Sequence, residues 1–344
     1  MRTTTALLPL ALLPAALAQN NSSNSTFLAG LVGTLASAGL TQLVSVASSL
    51  NGTTFGQQLL TNLSSGPYLI FAPNNDAWSK APKNVTGNQT ALTDVFAYHL
   101  VPGNFSGDSS TYPNVTLGQT LLRGDGEVFL EGNKPQVVAW AVRDDNKTHV
   151  LNQRNDSTVV DVKTFENITI LVVDHVLNPP ESFEATIPTN NNSLTGFETL
   201  LKSATLSFYN SSTNSTGDVT FFEAINEGWH GFTLFSPNNT AIDAANSTLA
   251  SLAGNRTATN AVLFNHIING TTIYSPLLTG GTNYTSAGGV DLSFHINSTG
   301  QYVTSGNFTA KILQPDVLLP NGVVHIIDTV LANTDADSSA ASSA

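Results

Sequence analysis

The chain has 344 residues, of which 41% are hydrophobic and only 10% are charged, and its net charge is −12. The acidic balance, without any basic cluster, argues against nucleic acid and anionic lipid as partners, because both carry negative charge. The absence of cysteine excludes thiol catalysis, thiolate metal sites and disulfide bonds. The length is typical of two domains of ~100–200 residues each.

The first 18 residues have the pattern of a secretory signal peptide. Arg2 supplies the positive end, and residues 6–17 form an apolar run that is shorter than the ~20 residues needed to span a bilayer. Residues 16–18 fit a cleavage site of the small-x-small type. We therefore expect the mature chain to begin at Gln19.

A helix, a strand and a second helix are predicted next. Phe27, Leu31 and Leu35 recur every four residues, which indicates an amphipathic helix. Residues 69–71 are a short apolar run typical of a buried strand, and Pro73 ends it because proline cannot donate to a strand ladder. The two asparagines that follow favour a turn and then the N-cap of a helix.

Strands are predicted after these helices. Residues 137–140 and 159–160 are rich in β-branched side chains, as are residues 302–304 further on. The longer apolar run at 168–177 predicts a central strand that is covered on both faces. Helices come first and strands later, without regular alternation, so we predict an α+β fold.

Three segments of the first half recur in the same order in the second half. The offsets of 164, 167 and 154 residues differ by about the length of a loop, which indicates a duplicated domain and not a short-period solenoid. The matched pairs are 68–78 with 232–242, 97–103 with 264–270, and 171–177 with 325–331.

The duplication predicts the domain organisation. We expect a first domain at 19–178, a linker at 179–192, a second domain at 193–332 and a disordered Ser/Ala-rich tail at 333–344. Two prolines open the linker and three asparagines lie near its end, which is typical of a connecting segment. We expect each half to fold independently and the linker to allow modest reorientation.

The three motifs resemble those of the fasciclin domain, over nearly all of the predicted mature chain. The first is Phe-Ala-Pro-Asn-Asn-Asp-Ala, the second is the stretch around Tyr98-His99-Leu100, and the third is the run that begins at Asn321. The residues that carry the resemblance are Phe71, Pro73, Asn75, Asp174, Phe235, Pro237, Asn239, Gly322, His325 and Asp328.

The resemblance implies two tandem fasciclin-like domains, each a β-sheet wedge with packed helices, and a role in adhesion or matrix organisation. The first domain departs from the family pattern, because Ile168 and Leu171 stand where the family has Gly and His. In the second domain Asn265 replaces the Tyr of the Tyr-His pair. The first departure puts a role for that histidine in doubt, whereas the apolar run that the fold needs is kept.

Acceptor sites for N-linked glycans are unusually frequent. The pattern Asn-x-Ser/Thr occurs 22 times, against about 7–8 expected from the composition. Two acceptors lie at residues 20–21. The others are Asn24, Asn51, Asn62, Asn84, Asn88, Asn104, Asn114, Asn146, Asn155, Asn167, Asn191, Asn210, Asn214, Asn238, Asn246, Asn255, Asn269, Asn283, Asn297 and Asn307.

Candidate partner-binding residues come from two short motifs. Tyr98 and His99, with His266 at the matching position, resemble an integrin-contact motif of some matrix relatives; buried histidines that bond the backbone are the alternative. Arg123-Gly124-Asp125 is an integrin-recognition tripeptide, and its position also predicts an ordinary hairpin turn.

No catalytic motif or paired histidines at metal spacing occur, so we predict neither an enzyme nor a cofactor or metal site. The leading hypothesis is a non-catalytic secreted glycoprotein of the adhesion, matrix or cell-wall type, which contacts extracellular protein or wall polysaccharide. The alternative is a lipid- or polysaccharide-binding protein of the cell surface or vacuole, which a deep apolar pocket would favour. We expect neither a transmembrane segment nor a glycolipid-anchor signal.

Overall fold

A computed structural model describes residues 13–50, 53–105, 109–124, 126–154, 156–190, 193–210 and 214–341. The described residues fall into two compact units, one of residues 13–105 with 159–176 and the other of 109–158 with 177–341. These units do not coincide with the two sequence repeats, because part of the first repeat belongs to the second unit. The domain boundaries given above stay a prediction.

Helices and strands are numbered in chain order. The α-helices α1–α13 are Leu13–Ser37, Thr41–Leu50, Thr54–Asn62, Asn75–Lys80, Lys83–Thr86, Gln89–Tyr98, Phe183–Thr189, Thr195–Ser203, Phe221–Glu223, Asn239–Ala244, Asn246–Leu252, Arg256–Phe264 and Ser338–Ala341. The strands β1–β16 are Tyr68–Pro73, Leu100–Pro102, Thr116–Gln119, Val137–Val142, Thr148–Val150, Ser157–Phe165, Ile168–Val173, Thr205–Asn210, Ser215–Thr220, Phe232–Pro237, Ile267–Asn269, Asn283–Thr285, Asp291–Asn297, Gly300–Ser305, Phe308–Leu319 and Gly322–Ile327.

The two repeats have the same strand order. The order in the first repeat is β2-β1-β7-β6-β5-β4-β3. Strands β2, β1, β7 and most of β6 belong to the first unit, whereas the first two residues of β6 and strands β5, β4 and β3 belong to the second. The second repeat has β11-β10-β16-β15-β14-β13-β12. In each repeat one parallel pair, β1 with β7 or β10 with β16, lies among antiparallel neighbours. This topology confirms the duplication and the α+β class.

The signal peptide prediction falls largely outside the described residues. Residues 1–12 are not among them, and residues 13–18 belong to helix α1. Among the residues that the structure does describe, no helix combines the length and apolarity needed to cross a membrane.

The first motif forms a strand and then a capped helix, as predicted. Strands β1 and β10 are fully buried and end at Pro73 and Pro237. The side chain of Asn74 accepts a 2.8 Å hydrogen bond from Ala77 N, and Asn238 accepts the equivalent bond from Ala241 N. These bonds satisfy amides that the first turn of a helix leaves without a partner.

The second asparagine of each motif has a role that the sequence analysis missed. Asn239 Oδ1 accepts from Gly196 N at 2.8 Å, and its Nδ2 donates to Thr195 Oγ1 at 3.0 Å, both in the first turn of α8. Asn75 makes the same pair of bonds to the first turn of α2. Each carboxamide therefore holds the start of one helix against the end of the central strand.

The third motif forms central strands, and β16 is buried along its whole length. Gly322 has no space for a side chain, because a Cβ there would lie 2.7 Å from Phe232 O. Asp328 Oδ1 accepts from Lys311 N at 2.8 Å, which ties the end of β16 to β15. In the first repeat Asp174 instead lies 3.0 Å from the ring of its neighbour His175.

An apolar cluster joins the second half of repeat one to repeat two. Leu318 and Val323 of the second repeat pack with five buried residues of the first, namely Val115, Val137, Ala139, Ala141 and Leu151. Polar contacts surround the cluster: Gln136 Nε2 donates to Leu319 O at 2.9 Å, and Glu131 accepts from both Thr272 N and Thr272 Oγ1. The independent folding of the halves stays a prediction, and this cluster is a reason to expect that residues 109–158 and the second repeat stabilise each other.

The predicted linker is not an extended connection where the structure describes it. Helix α7 occupies its centre, and Phe183 and Ile187 are buried in the main core of the second repeat. The interpretation missed α7 because the flanking prolines and asparagines dominated the local composition. A helix anchored by a buried phenylalanine does not provide the reorientation that we expected.

The predicted disordered tail is ordered as far as residue 341. Asn333 is buried and its carbonyl accepts from Asn265 Nδ2 at 3.0 Å. Asp335 O accepts from the same nitrogen at 2.9 Å, and Asp337 N donates to Gly288 O at 2.8 Å. Tertiary hydrogen bonds thus order a segment whose Ser/Ala-rich composition gave no sign of packing.

Candidate functional site

The middle motif lies in the interior. The side chains of Tyr98, His99 and His266 are at most 2% exposed. The prediction that these three residues contact a partner directly is therefore wrong, because none of them reaches the surface. Their positions are structural. The apolar residues around them in the sequence indicated burial and not a binding surface.

The two histidines of this motif make the same backbone bond. His99 Nδ1 donates to Val95 O at 2.6 Å and His266 Nδ1 donates to Val262 O at 2.7 Å. His266 Nε2 also accepts from Leu331 N at 3.0 Å. Burial lowers the pKa of each imidazole to about 4, and the bond to the carbonyl offsets this only in part.

His325 of the third motif is also a neutral buried ring. Its Nε2 donates to Ile273 O at 2.9 Å, its Nδ1 accepts from Asp316 N at 3.3 Å, and its face stacks on Phe235. Burial raises the pKa of the Asp316 carboxyl, which Ser275 bonds through both its amide and its hydroxyl. The carboxyl does not bond the ring, so the pair lacks the geometry of a catalytic dyad.

The described residues on either side of Asp125 do not belong to a hairpin. Arg123 is exposed, Gly124 has a φ of 45°, and Gly124 O accepts from Glu127 N and Val128 N. Asp125 lies outside the described residues. The expected strand pairing is wrong because Phe129 N donates instead to Pro320 O of the second repeat.

A polar depression of about 460 Å³ is lined by Tyr112, Arg143, Asp144, Asp145 and His149. His149 lies between two carboxylates, with Asp145 3.1 Å from Nε2 and Asp156, beside the depression, 2.9 Å from Nδ1. The sequence analysis missed this group because Asp156 is distant from the adjacent aspartates. Within the described part of the chain, no group of three or more His, Asp and Glu residues is arranged to hold a metal ion.

The second repeat contains an apolar groove of about 440 Å³, which we call the helical groove. Helices α8, α11 and α12 form it. Its lining includes Leu200, Leu249, Leu252 and Val262, with Arg256, Thr259 and Asn260 among the polar residues. Asn260 Nδ2 donates to Thr205 O, whereas its buried Oδ1 has no hydrogen-bond partner. The groove therefore offers an apolar lining with several polar residues beside it, as small-molecule sites commonly do.

The acceptor asparagines differ sharply from the other asparagines in exposure. Of the 16 acceptors whose side chains the structure describes, 14 are exposed, and Asn24 and Asn238 are partly exposed. Of the 12 other described asparagines, only Asn133 is exposed. Composition alone gives no reason for this separation, since both sets are the same residue.

Comparisons with known proteins agree with the duplicated fold. A family model described as the Fasciclin domain matches residues 38–179 and again residues 193–333. A fasciclin-like arabinogalactan protein of Arthroderma benhamiae is 29% identical over 253 residues, which cover 72% of this chain and 52% of that protein. Immunogenic protein MPB70 of Mycobacterium bovis is 30% identical over 146 residues, 40% of this chain and 64% of that protein.

The matched segments span about half to two thirds of the length of these two relatives. Among solved structures, a FAS1 domain pair from the insect cell adhesion molecule Fasciclin I is 16% identical, with a TM-score of 0.39, and the match covers 85% of this chain and 96% of that one. The family model covers well over half of the chain in two copies, in agreement with the repeated strand order. The chain belongs to the fasciclin-domain family and contains two copies of the domain.

Proposed function

We propose that this protein is a non-catalytic, secreted and N-glycosylated fasciclin protein of the adhesion, matrix or cell-wall type. The observation that carries the proposal is the exposure of 14 of the 16 described acceptor asparagines. Glycans at these positions would supply the polar surface that a chain with only 10% charged residues lacks. The similarity to a fasciclin-like arabinogalactan protein supports this setting, in which the protein would contact wall polysaccharide or extracellular protein.

The first expected result is a large glycan mass. The secreted protein should migrate far above 36.1 kDa, which is the mass of the full chain with the predicted signal peptide, and treatment with a peptide amidase that removes N-linked glycans should bring it down to that mass or slightly below. The measurement is a denaturing gel together with the intact mass before and after treatment. A secreted protein that already migrates near the polypeptide mass would contradict the proposal.

The helical groove favours a second candidate function, binding of an amphipathic lipid with a hydroxyl head. The apolar side chains suit an acyl chain, and the hydroxyl-bearing lining residues Ser203, Thr205 and Thr259 suit a hydroxyl head. An acidic chain does not favour anionic lipid headgroups, so a neutral monoacylglycerol is the probe.

The test of this second function is occlusion of the groove. Ala253→Trp places a large ring on a lining residue and should abolish monoacylglycerol binding measured by fluorescence displacement. Ala250→Trp is the matched control, because Ala250 lies on helix α11, which Ala253 caps, but is not among the residues that line the groove. Equal binding by both variants, or no binding by the unmodified protein, would count against a lipid site there.

A further inference from the structure

The outward face of the β6–β7 hairpin in the first repeat is incompletely covered. Val162 lies opposite Leu171, and Thr164 lies opposite Thr169, so the four side chains share one face of the sheet. Val162 is 53% exposed, and Val160, two residues earlier on the strand, is 52% exposed. Val160 lies at a β-bulge of the strand, so the two valines are close in sequence and both exposed, and together with Leu171 they leave apolar surface that proteins usually protect.

The same face of the second repeat is fully covered by protein. Counting from the hairpin ends, the Thr164–Thr169 pair corresponds to Leu318–Val323, and Leu171 corresponds to His325, whereas a bulge near Asp316 interrupts the position that would match Val162. Leu318, Val323 and His325 are all buried. The cover over Leu318 and Val323 comes from the first repeat, through Val115, Val137, Ala139, Ala141 and Leu151.

The turns of the two hairpins differ in a way that matches this difference in cover. Asn321 in the second repeat is buried, and its Nδ2 donates to Ile225 O at 2.8 Å and to Trp229 O at 2.9 Å. Gly322 and Val323 follow it, so it is not a glycan acceptor. Asn167 occupies the equivalent position in the first repeat, is exposed, and is an acceptor because Thr169 follows two residues later.

We propose that an N-linked glycan on Asn167 covers the β6–β7 face of the first repeat, in the place where protein covers the second. The inference rests on the proposed glycosylation of this chain. Val162 lies three residues from the terminal Phe165–Ile168 pair, about 10 Å along the strand at 3.3 Å per residue. A bulky oligosaccharide attached at the turn can extend over that distance and shield the valines from other molecules.

A second copy of the chain is a less suitable cover. The covering strand β4 presents Val137, Ala139 and Ala141 to the second repeat. The matching strand β13 carries Asp291, Ser293 and His295 at its outward positions, and these are polar. The apolar surface of β4 that covers the second repeat is therefore not repeated on β13. This difference favours a glycan over a second copy of the chain as the cover of the first repeat.

The test is side-chain footprinting with hydroxyl radicals on the full glycosylated chain. Asn167→Gln should raise the modification of Val160, Val162 and Leu171 by about twofold or more, because the shielding glycan is lost. Thr169→Ala removes the same acceptor without changing Asn167 and should have the same effect on the valines. Asn84→Gln is the matched control, because Asn84 is an exposed acceptor on helix α5.

Site occupancy measured by glycopeptide mass spectrometry separates the possible outcomes. Occupancy of Asn167, with a rise in footprinting only in the two variants that lose this acceptor, is the expected result. Equal footprinting of the Asn167 and Asn84 variants would overturn the shielding role. An unoccupied Asn167 beside occupied acceptors elsewhere would overturn it too, while leaving the proposed glycoprotein intact. A chain without any occupied acceptor would refute both.

Discussion

A chain of residues 193–333 alone is expected to unfold at a much lower urea concentration than the full-length protein. It lacks the five residues of the first repeat that cover Leu318 and Val323, and it lacks Phe183 of helix α7. Removing one buried phenylalanine side chain costs about 3–5 kcal/mol. The total loss is therefore comparable to the about 5–15 kcal/mol by which a domain is stable.

A graded series of chains tests this expectation. A chain of residues 178–344 restores α7 and the ordered C-terminal segment, so its stability should lie between that of 193–333 and that of the full chain. Trp229 is the only tryptophan in either fragment, and its fluorescence reports their unfolding. Equal urea midpoints for the two fragments would show that α7 contributes little.

Point variants in the full chain test the contribution of the inter-repeat cluster. Leu318→Ala should lower the unfolding free energy by about 2–4 kcal/mol, because it opens a cavity at a buried position. Leu313→Ala on the same strand is the matched control, since Leu313 is 42% exposed and its truncation should cost far less. Similar losses for both variants would mean that the cluster is not well packed.

Acid should destabilise the protein between pH 6.5 and pH 4. His99 and His266 have a folded-state pKa of about 4, against 6.5 when unfolded. In this window the unfolded state binds a proton that the folded state does not, so stability is full above pH 6.5 and is lost as pH falls. Each histidine contributes about 3 kcal/mol at most, from a shift of ~2.5 units at 1.36 kcal/mol per unit.

Asp316 has the opposite effect on how stability depends on pH. Burial raises the pKa of its carboxyl, so its contribution to stability is full below the unfolded pKa and is lost as pH rises through the folded pKa. His325, whose pKa burial lowers, acts in the same direction as the other two histidines. Three histidines against one carboxyl should leave a net loss of stability on acidification.

Urea unfolding at a series of pH values measures this slope. His266→Gln removes one titrating ring and should make the slope between pH 6.5 and pH 4 shallower. His295→Gln is the matched control for replacing a histidine by glutamine, because His295 is exposed on strand β13 and all three buried rings stay in place. A slope that is the same in all three proteins would refute the role of the buried rings.

Much of the fold was predictable because the repeat supplied the same information twice. The strands at 69–71 and 137–140, the asparagine N-caps and the central position of the third motif are confirmed. Local chemistry decides these features: apolar runs, the missing donor of proline and the side-chain oxygen of asparagine. Predicting these features therefore does not require knowledge of the tertiary contacts.

The errors share a physical cause, namely tertiary contacts made by segments of unremarkable composition. Helix α7 and the C-terminal segment are ordered by Phe183 and by the carboxamide of Asn265, which no local pattern identifies. The buried histidines were placed correctly in apolar runs, but whether a run is covered depends on distant residues.

Because of the contacts of Asn75 and Asn239, the position of a helix does not depend on the length of the connection that follows it. Each carboxamide fixes the first turn of α2 or α8 directly. The segment from that helix to the strand then has 17 residues in one repeat, from 51 to 67, and 28 in the other, from 204 to 231. Helix α3 lies in the first connection, and the β8–β9 hairpin and helix α9 lie in the second, so two connections of different length and structure follow helices that are held in the same way.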